Sequence, residues 1–365
     1  MGRNDVRNLW IFTALVIVIG LVALFSASHE NLRVERTIFY DQLFGAVFGM
    51  GIMYSLGRVP LRFYYDIAYP FYVLSVVLLL LVLVAGHSAL GATRWFNVFG
   101  VRFQPSELSK VAVILMLARY FSQRPPKLSF SLRSSFDFFR RDLLVPLFLT
   151  LLSFGLIFKQ PDLGSALLVF GIFIVMLYAS GVAAGIFNAF LCGCAVMVPL
   201  GWHFLKEYQR NRLLVFLNPN IDPLGTGYNI IQSRIAVGSG QLFGKGWFSG
   251  TQNQLNFLPE RHTDFIFSVI GEEWGYIGGV VLLGCYFMLA HTGLHIAQGL
   301  KDRFARQVAL GITAILVLQV VINISMTIGL APVVGITLPM VSYGRTSFLV
   351  FMVMMGVLLS LARRR

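Results

Sequence analysis

Apolar residues in this chain gather into long runs, and polar residues lie between the runs. A run of about twenty apolar residues is the length that an α-helix needs to cross a bilayer. The pattern therefore predicts an all-α, polytopic integral membrane protein with about ten transmembrane helices. The predicted spans are 9–28, 38–57, 66–85, 107–122, 142–158, 165–180, 182–204, 265–297, 304–330 and 340–361.

The eighth predicted span is longer than a bilayer requires. A break at Gly275 or at Gly278-Gly279 would divide it into a surface helix and a membrane span, because glycine tolerates the backbone conformations that end a helix. The largest polar segment, 205–263, precedes this span, and we expect it to form a large extracytoplasmic loop within a single membrane domain, 1–365. Its many glycines predict tight turns and close approach of the backbone, either to a ligand or to the membrane surface.

Basic residues predict the orientation, because loops rich in Lys and Arg remain in the cytoplasm. More than half of the 29 Lys and Arg residues fall on the side of the N-terminus if the spans alternate. Many of the others lie in the long loop, which counts little in this rule. Both termini are therefore predicted to be cytoplasmic.

The composition supports a membrane protein and excludes an ordinary soluble domain. The chain is 57% hydrophobic and 12% charged, whereas soluble chains are about a quarter charged. The net charge of +13 does not predict a nucleic-acid partner, because the basic residues lie mostly between spans. Cys192, Cys194 and Cys285 fall in apolar segments and indicate buried small residues without a disulfide framework.

Ionisable residues crowd the junction between the long loop and the eighth span. Such groups are costly to desolvate at the edge of a bilayer, so they are usually kept for a task. Asp264 is the first candidate for a catalytic residue, while Thr263 or Asp264 could instead cap the next helix. The cluster comprises Glu260, Arg261, His262, Asp264, Glu272 and Glu273, of which the last two receive no role.

Three predicted spans begin with proline on the outer face, at Pro105, Pro161 and Pro339. Helix N-termini present free N–H groups and partial positive charge, so their convergence would suit a phosphate. The alternative is that these are ordinary proline helix starts. Glu107 and Lys110 are three residues apart and share a helix face, as a structural ion pair or as the lining of a polar cavity.

Five segments of the chain, in this order, resemble the SEDS family (shape, elongation, division and sporulation proteins). The sequence at the junction between the long loop and the eighth span is most similar to that of the elongation branch of the family. One departure is Arg345, where the family usually has a second glycine after Ser-Tyr-Gly. The segments are VRFQPSELSK, KQPDLGSALL, DPLGTGYNIIQSRIAVGSGQLFGKGW, FLPERHTDFIFSVIGEEWG and LPMVSYGRTS.

The resemblance implies a ten-helix peptidoglycan glycosyltransferase of the bacterial inner membrane, with an extracytoplasmic active site. It would polymerise lipid II into β-1,4-linked glycan strands during cell elongation, with undecaprenyl diphosphate as leaving group. Its partner would be a class B penicillin-binding protein, which cross-links the product. Asp264 matches the family's essential Asp, and Glu107 and Lys110 match its polar residues in the fourth span.

This chemistry needs a base for the attacking sugar hydroxyl and positive charge for the leaving diphosphate. Asp264 is the expected general base. A divalent cation such as Mg²⁺ could assist, although no ligand set with metal spacing is visible. The expected substrate-binding residues are Glu107, Lys110, Asp162, Arg210, Arg212, Lys245 and Arg261.

Two other functions stay open at this point. A transporter that flips lipid II could use Glu107, Lys110 and Asp162 to line a path across the bilayer. A non-catalytic scaffold for the penicillin-binding protein would need no base at Asp264.

Overall fold

The computed structural model describes residues 2–28, 34–89, 92–98, 101–124, 143–182, 184–222, 225–255 and 257–365. We number the helices in chain order. They are α1 (Gly2–Ala27), α2 (Val34–Leu56), α3 (Leu61–Ala85), α4 (Pro105–Gln123), α5 (Val145–Lys159), α6 (Leu163–Ala179), α7 (Ala184–Gly201), α8 (Glu207–Leu217), α9 (Thr226–Ser239), α10 (Thr251–Gln254), α11 (Ile266–Gly299), α12 (Arg303–Thr327) and α13 (Arg345–Ala362).

Each of the ten predicted spans overlaps one of these helices, so the prediction of a polytopic helical membrane protein is confirmed. Among the described helices, α1, α3, α11, α12 and α13 are long and apolar enough to cross a membrane by themselves. Shorter apolar helices occur in α5, α6 and α7.

A small antiparallel sheet between α3 and α4 was not predicted. Its strands are β1 (His87–Ala89), β2 (Ala92–Val98) and β3 (Val101–Phe103). The last two strands pair Phe96 with Phe103, directly before the start of α4.

The chain forms two compact units, each built from segments that are distant in sequence. The first contains Met1–Val59, Arg212–His295 and Leu316–Arg365, and within it α13 packs against α2 and α1. The second contains Pro60–Asn211 and Ile296–Ile315, and within it α3 and α6 pack on α4. The single membrane domain, 1–365, stays a prediction.

The segment 205–263 contains more regular structure than the word loop suggests. Helices α8, α9 and α10 lie within it, as does a short 3₁₀ helix at Pro219–Ile221.

Helix α11 is broken at Gly275, the first of the two positions predicted. Gly275 has φ 66° and ψ −161°, which no helix accommodates. The break leaves main-chain groups on both sides without partners inside the helix, and in an apolar environment such groups must be satisfied. We call residues 241–246 the bracing segment because they pair with both sides of the break.

The pairing joins main chain to main chain. The N–H groups of the bracing segment donate to α11 before the break, and the N–H groups after the break donate to the bracing segment. The bonds run from Lys245 N to Glu272 O (3.0 Å), Gly246 N to Glu273 O (3.1 Å), Tyr276 N to Gln241 O (2.8 Å) and Ile277 N to Leu242 O (3.1 Å).

Glycine makes this approach possible. A Cβ on Gly244 would lie 2.1 Å from the carbonyl oxygen of Glu273, and one on Gly275 would lie 2.3 Å from the amide nitrogen of Gly244. The close approach predicted for the loop glycines is therefore present at Gly244, but what Gly244 approaches is the backbone of α11 and not a ligand or the membrane surface.

We expect Gly275→Ala to destabilise the protein by at least about 2 kcal/mol, because it combines a strained φ with a backbone clash. Gly284→Ala is the matched control, since Gly284 lies further along α11 and a Cβ there meets nothing within 4 Å. Thermal unfolding in detergent measures both. Equal unfolding temperatures for the two variants would contradict the brace.

Candidate functional site

Asp264 lies in the turn that immediately precedes α11, and its side chain is half-buried. Its carbonyl oxygen accepts a hydrogen bond from Nδ2 of Asn323 at 3.0 Å. A Cβ on Gly335 would lie 3.5 Å from its Oδ2. The carboxylate therefore faces the segment that connects α12 to α13.

The two residues before Asp264 are held by the same connecting segment. Ser342 Oγ donates to the carbonyl of Thr263 at 2.6 Å, and the amide of Tyr343 donates to the carbonyl of His262 at 2.8 Å. Three successive carbonyls are thus fixed. The Thr263 hydroxyl donates to the carbonyl and carboxylate oxygens of Glu260, both at 3.1 Å, which is a turn contact.

Arg261 is buried and binds main-chain carbonyls. Its Nε donates to Ala27 at 3.0 Å and its Nη1 to Asn253 at 2.8 Å. These bonds tie the turn to the end of α1 and to α10. A phosphate role for Arg261 stays a prediction.

Glu272 and Glu273 had no predicted role. Their carboxylates bind the bracing segment, α10 and the end of α1. Glu272 Oε1 accepts from Lys245 Nζ at 2.8 Å and from the amide of Gln252 at 3.1 Å. Glu273 Oε1 accepts from Ser26 Oγ at 2.5 Å and from Asn253 Nδ2 at 3.4 Å. These partners are distant in sequence, so the pattern of apolar and polar residues could not predict the contacts.

Lys245 therefore lies in an ion pair. Its side chain is 28% exposed, whereas that of Glu272 is 1% exposed. Part of the Lys245 side chain is therefore exposed, and its predicted role in substrate binding stays a prediction.

In the second unit, Glu107 and Lys110 form the expected pair on one face of α4. Lys110 Nζ donates to Glu107 Oε1 at 2.6 Å, and the side chains are 1% and 7% exposed. Glu107 Oε2 is buried and has no hydrogen-bond partner among the described residues. One carboxylate oxygen of this pair is therefore available to a further donor.

Asp162 joins the starts of two helices. Its Oδ1 caps α6 by accepting from the amide of Ser165 at 3.1 Å. Its Oδ2 accepts from Gln104 Nε2 at 3.1 Å and from Ser106 Oγ at 3.3 Å, at the start of α4. Two of the three predicted proline-containing entries thus meet within the second unit, while Pro339 belongs to the first.

Arg210 and Arg212 lie on α8. Arg210 donates to the carbonyls of Trp202 and His203 at 3.1 and 3.0 Å and is half-buried. Arg212 is also half-buried. Substrate contact by either residue stays a prediction.

Arg345, the departure from the family pattern, begins α13 and forms an ion pair with Asp41 on α2. Within the described parts of the chain, no group of three or more His, Cys, Asp or Glu side chains could hold a metal ion. The divalent cation stays a prediction.

These features define a multi-pass helical membrane protein with charged residues held in buried pairs and at helix starts. The chain belongs to the family of FtsW, RodA and SpoVE, whose model, described as "Cell cycle protein", matches residues 6–365. The resemblance to SEDS proteins is confirmed.

Individual relatives match over nearly the whole chain. The peptidoglycan glycosyltransferase MrdB of Escherichia coli strain K12 is 40% identical over 365 residues, which cover 99% of this chain and 94% of MrdB. A solved structure described as "Structural coordination of polymerization and crosslinking by a peptidoglycan synthase complex" has a TM-score of 0.81 and 32% identity, and covers 98% of this chain and 97% of its own. The crystal structure of the rod shape determining protein RodA from Thermus thermophilus has a TM-score of 0.71 and 30% identity, and covers 98% and 96%.

We expect Lys245→Ala to lower the unfolding temperature, because it leaves the buried Glu272 carboxylate without its cation. Removing one partner of a fully buried ion pair typically costs about 3–5 kcal/mol, and the partial exposure of the Lys245 side chain should make the loss smaller here. Adding Glu272→Gln removes the buried charge, so the double variant should recover most of the loss. Thermal unfolding in detergent measures this. A double variant no more stable than Lys245→Ala would argue against the pair's structural role.

Proposed function

We propose that this chain is a peptidoglycan glycosyltransferase that polymerises lipid II into β-1,4-linked glycan strands, with Asp264 as general base. The observation that carries the proposal is the position of Asp264. It combines a half-buried carboxylate with a main chain held at three successive carbonyls. The names of the relatives support the reaction class.

The proposed step is one displacement at an anomeric carbon. The acceptor sugar's 4-hydroxyl loses its proton to a carboxylate oxygen of Asp264 as its oxygen attacks the anomeric carbon of the donor. The bond from that carbon to the diphosphate breaks, and undecaprenyl diphosphate leaves with the electron pair. Direct attack inverts the centre and converts an α-linked donor into a β-linked glycan.

The leaving diphosphate needs positive charge and no second carboxylic acid. The basic residues proposed for it are Lys110, Arg210, Arg212 and Arg261, and Lys245 is proposed as a further substrate-binding residue. Lys245 and Arg261 would have to share their present contacts with a substrate.

The polyprenyl tail of lipid II explains why this enzyme would be a membrane protein. Lipid II would stay in the bilayer while its headgroup reaches the turn at Asp264. We place the protein in the bacterial inner membrane with both termini cytoplasmic and 205–263 outside, as the basic residues indicate. A class B penicillin-binding protein is the proposed partner, supported by the resemblance to a structure from a peptidoglycan synthase complex.

We expect Asp264→Asn to lower glycan synthesis from purified lipid II by at least about 100-fold, because an amide cannot accept the proton. The full chain is assayed with its penicillin-binding protein, and polymer is separated on a gel. Glu260→Gln is the matched control: Glu260 is an exposed carboxylate in the same turn, and its variant should polymerise normally.

Polymerisation by Asp264→Asn at the parental rate would overturn the assignment of the base. Parental polymerisation by Asp264→Asn, together with transfer of lipid II across vesicle membranes, would favour a transporter. Normal cell elongation with Asp264→Asn would favour a scaffold.

We expect Lys110→Met to unfold at a lower temperature, because Glu107 stays buried without its cation. The loss of one partner from a buried ion pair costs about 3–5 kcal/mol of folding free energy. Glu107→Gln in the same chain should restore the unfolding temperature. If the pair binds the substrate, the stable double variant still fails to polymerise lipid II. A double variant that is stable and fully active would make the pair structural only.

A further inference from the structure

Asn323 is a fully buried amide on α12 that lies beside the proposed base, with 0% of its surface exposed. Its Nδ2 donates to the carbonyl of Asp264 at 3.0 Å and to the carbonyl of Ile336 at 2.7 Å. One side chain thus joins the turn of the proposed base to the segment between α12 and α13.

The chemistry of the amide sets its orientation. An amide nitrogen carries two hydrogens, and the two carbonyls take one each. Rotating the amide by half a turn would place Oδ1 against two carbonyl oxygens, which repel it. The side chain therefore has one favourable arrangement, and that arrangement sets the distance between Asp264 and Ile336.

We infer that Asn323 is a positioning residue for Asp264, an inference that rests on the proposed function. Asn323 bonds the main chain of Asp264 and acts through it. Fixing that carbonyl restricts the peptide that carries the Asp264 side chain. A general base must stay within hydrogen-bond reach of the hydroxyl, and a misplacement of about 1 Å can lower a rate by about 100-fold.

The chain offers a matched control one helical turn earlier. Gln319 is also on α12 with 0% exposed surface, and its Nε2 donates to the carbonyl of Thr337 at 3.0 Å. Both amides therefore bind the same connecting segment from the same helix. The Nε2 of Gln319 donates to the carbonyl and hydroxyl oxygens of Thr337, whereas the Nδ2 of Asn323 donates to the carbonyl of Asp264.

The test compares Asn323→Leu with Gln319→Leu in the full chain, assayed with its penicillin-binding protein on purified lipid II. Each substitution removes a buried amide, so both variants should lose similar thermal stability. We expect Asn323→Leu to lower kcat by at least about 10-fold with KM within about 3-fold of the parent, because positioning acts on the chemical step. Gln319→Leu should keep kcat within about 3-fold of the parent.

Asn323→Ser provides a second variant if Asn323→Leu does not fold. The hydroxyl has one hydrogen to donate and a shorter reach, so kcat should fall between those of the parent and Asn323→Leu. Parental kcat in Asn323→Ser, or equal losses of kcat in Asn323→Leu and Gln319→Leu, would overturn the positioning role.

Asp264→Asn in the same series separates the two claims. If Asp264→Asn is inactive and the two α12 variants behave alike, the positioning role fails and the proposed base stands. If Asp264→Asn polymerises at the parental rate, the base fails, and the positioning role fails with it.

Discussion

A helix that breaks at a buried position, as α11 does at Gly275, is stable only if the main-chain groups freed by the break find partners. Each unsatisfied group would cost several kcal/mol in an apolar environment. In α11 the break at Gly275 is satisfied by the bracing segment, which donates to the carbonyls before it and accepts from the amides after it. The bracing segment is therefore attached to α11 by main-chain hydrogen bonds. Further contacts hold the residues between the bracing segment and Asp264.

The two glutamates next to the break extend this attachment. Glu272 pairs with Lys245 of the bracing segment, while Glu273 reaches Ser26 at the end of α1. Arg261 adds a bond to the carbonyl of Ala27. The segment from α10 to the turn is consequently held against both α1 and α11. Asp264 follows directly, so these contacts hold the turn that carries the proposed base, and a base held in place is what the proposed catalysis requires.

The spans, the break at Gly275 and the candidate Asp264 could be predicted from the sequence because hydropathy, glycine and a dense motif carry residue-level signals. The brace could not, since main-chain hydrogen bonds involve every residue type and leave no pattern. Glu273 received no role because its partner, Ser26, lies 247 residues away. The role of Asn323 could not be predicted either. In the sequence Asn323 is one polar residue in an apolar run, and only the structure shows that it lies beside Asp264.

Arg345 stands where the family resemblance led us to expect a second glycine. A positive side chain in the first turn of α13 is unfavourable beside the positive end of the helix dipole, and Asp41 offsets it. Gly344 stays extended, at φ 166°, and Ser342 still donates to the carbonyl of Thr263. Arg345 pairs with Asp41 on α2 while the hydrogen bonds that hold the turn of Asp264 are formed, so an arginine at this position is compatible with that turn.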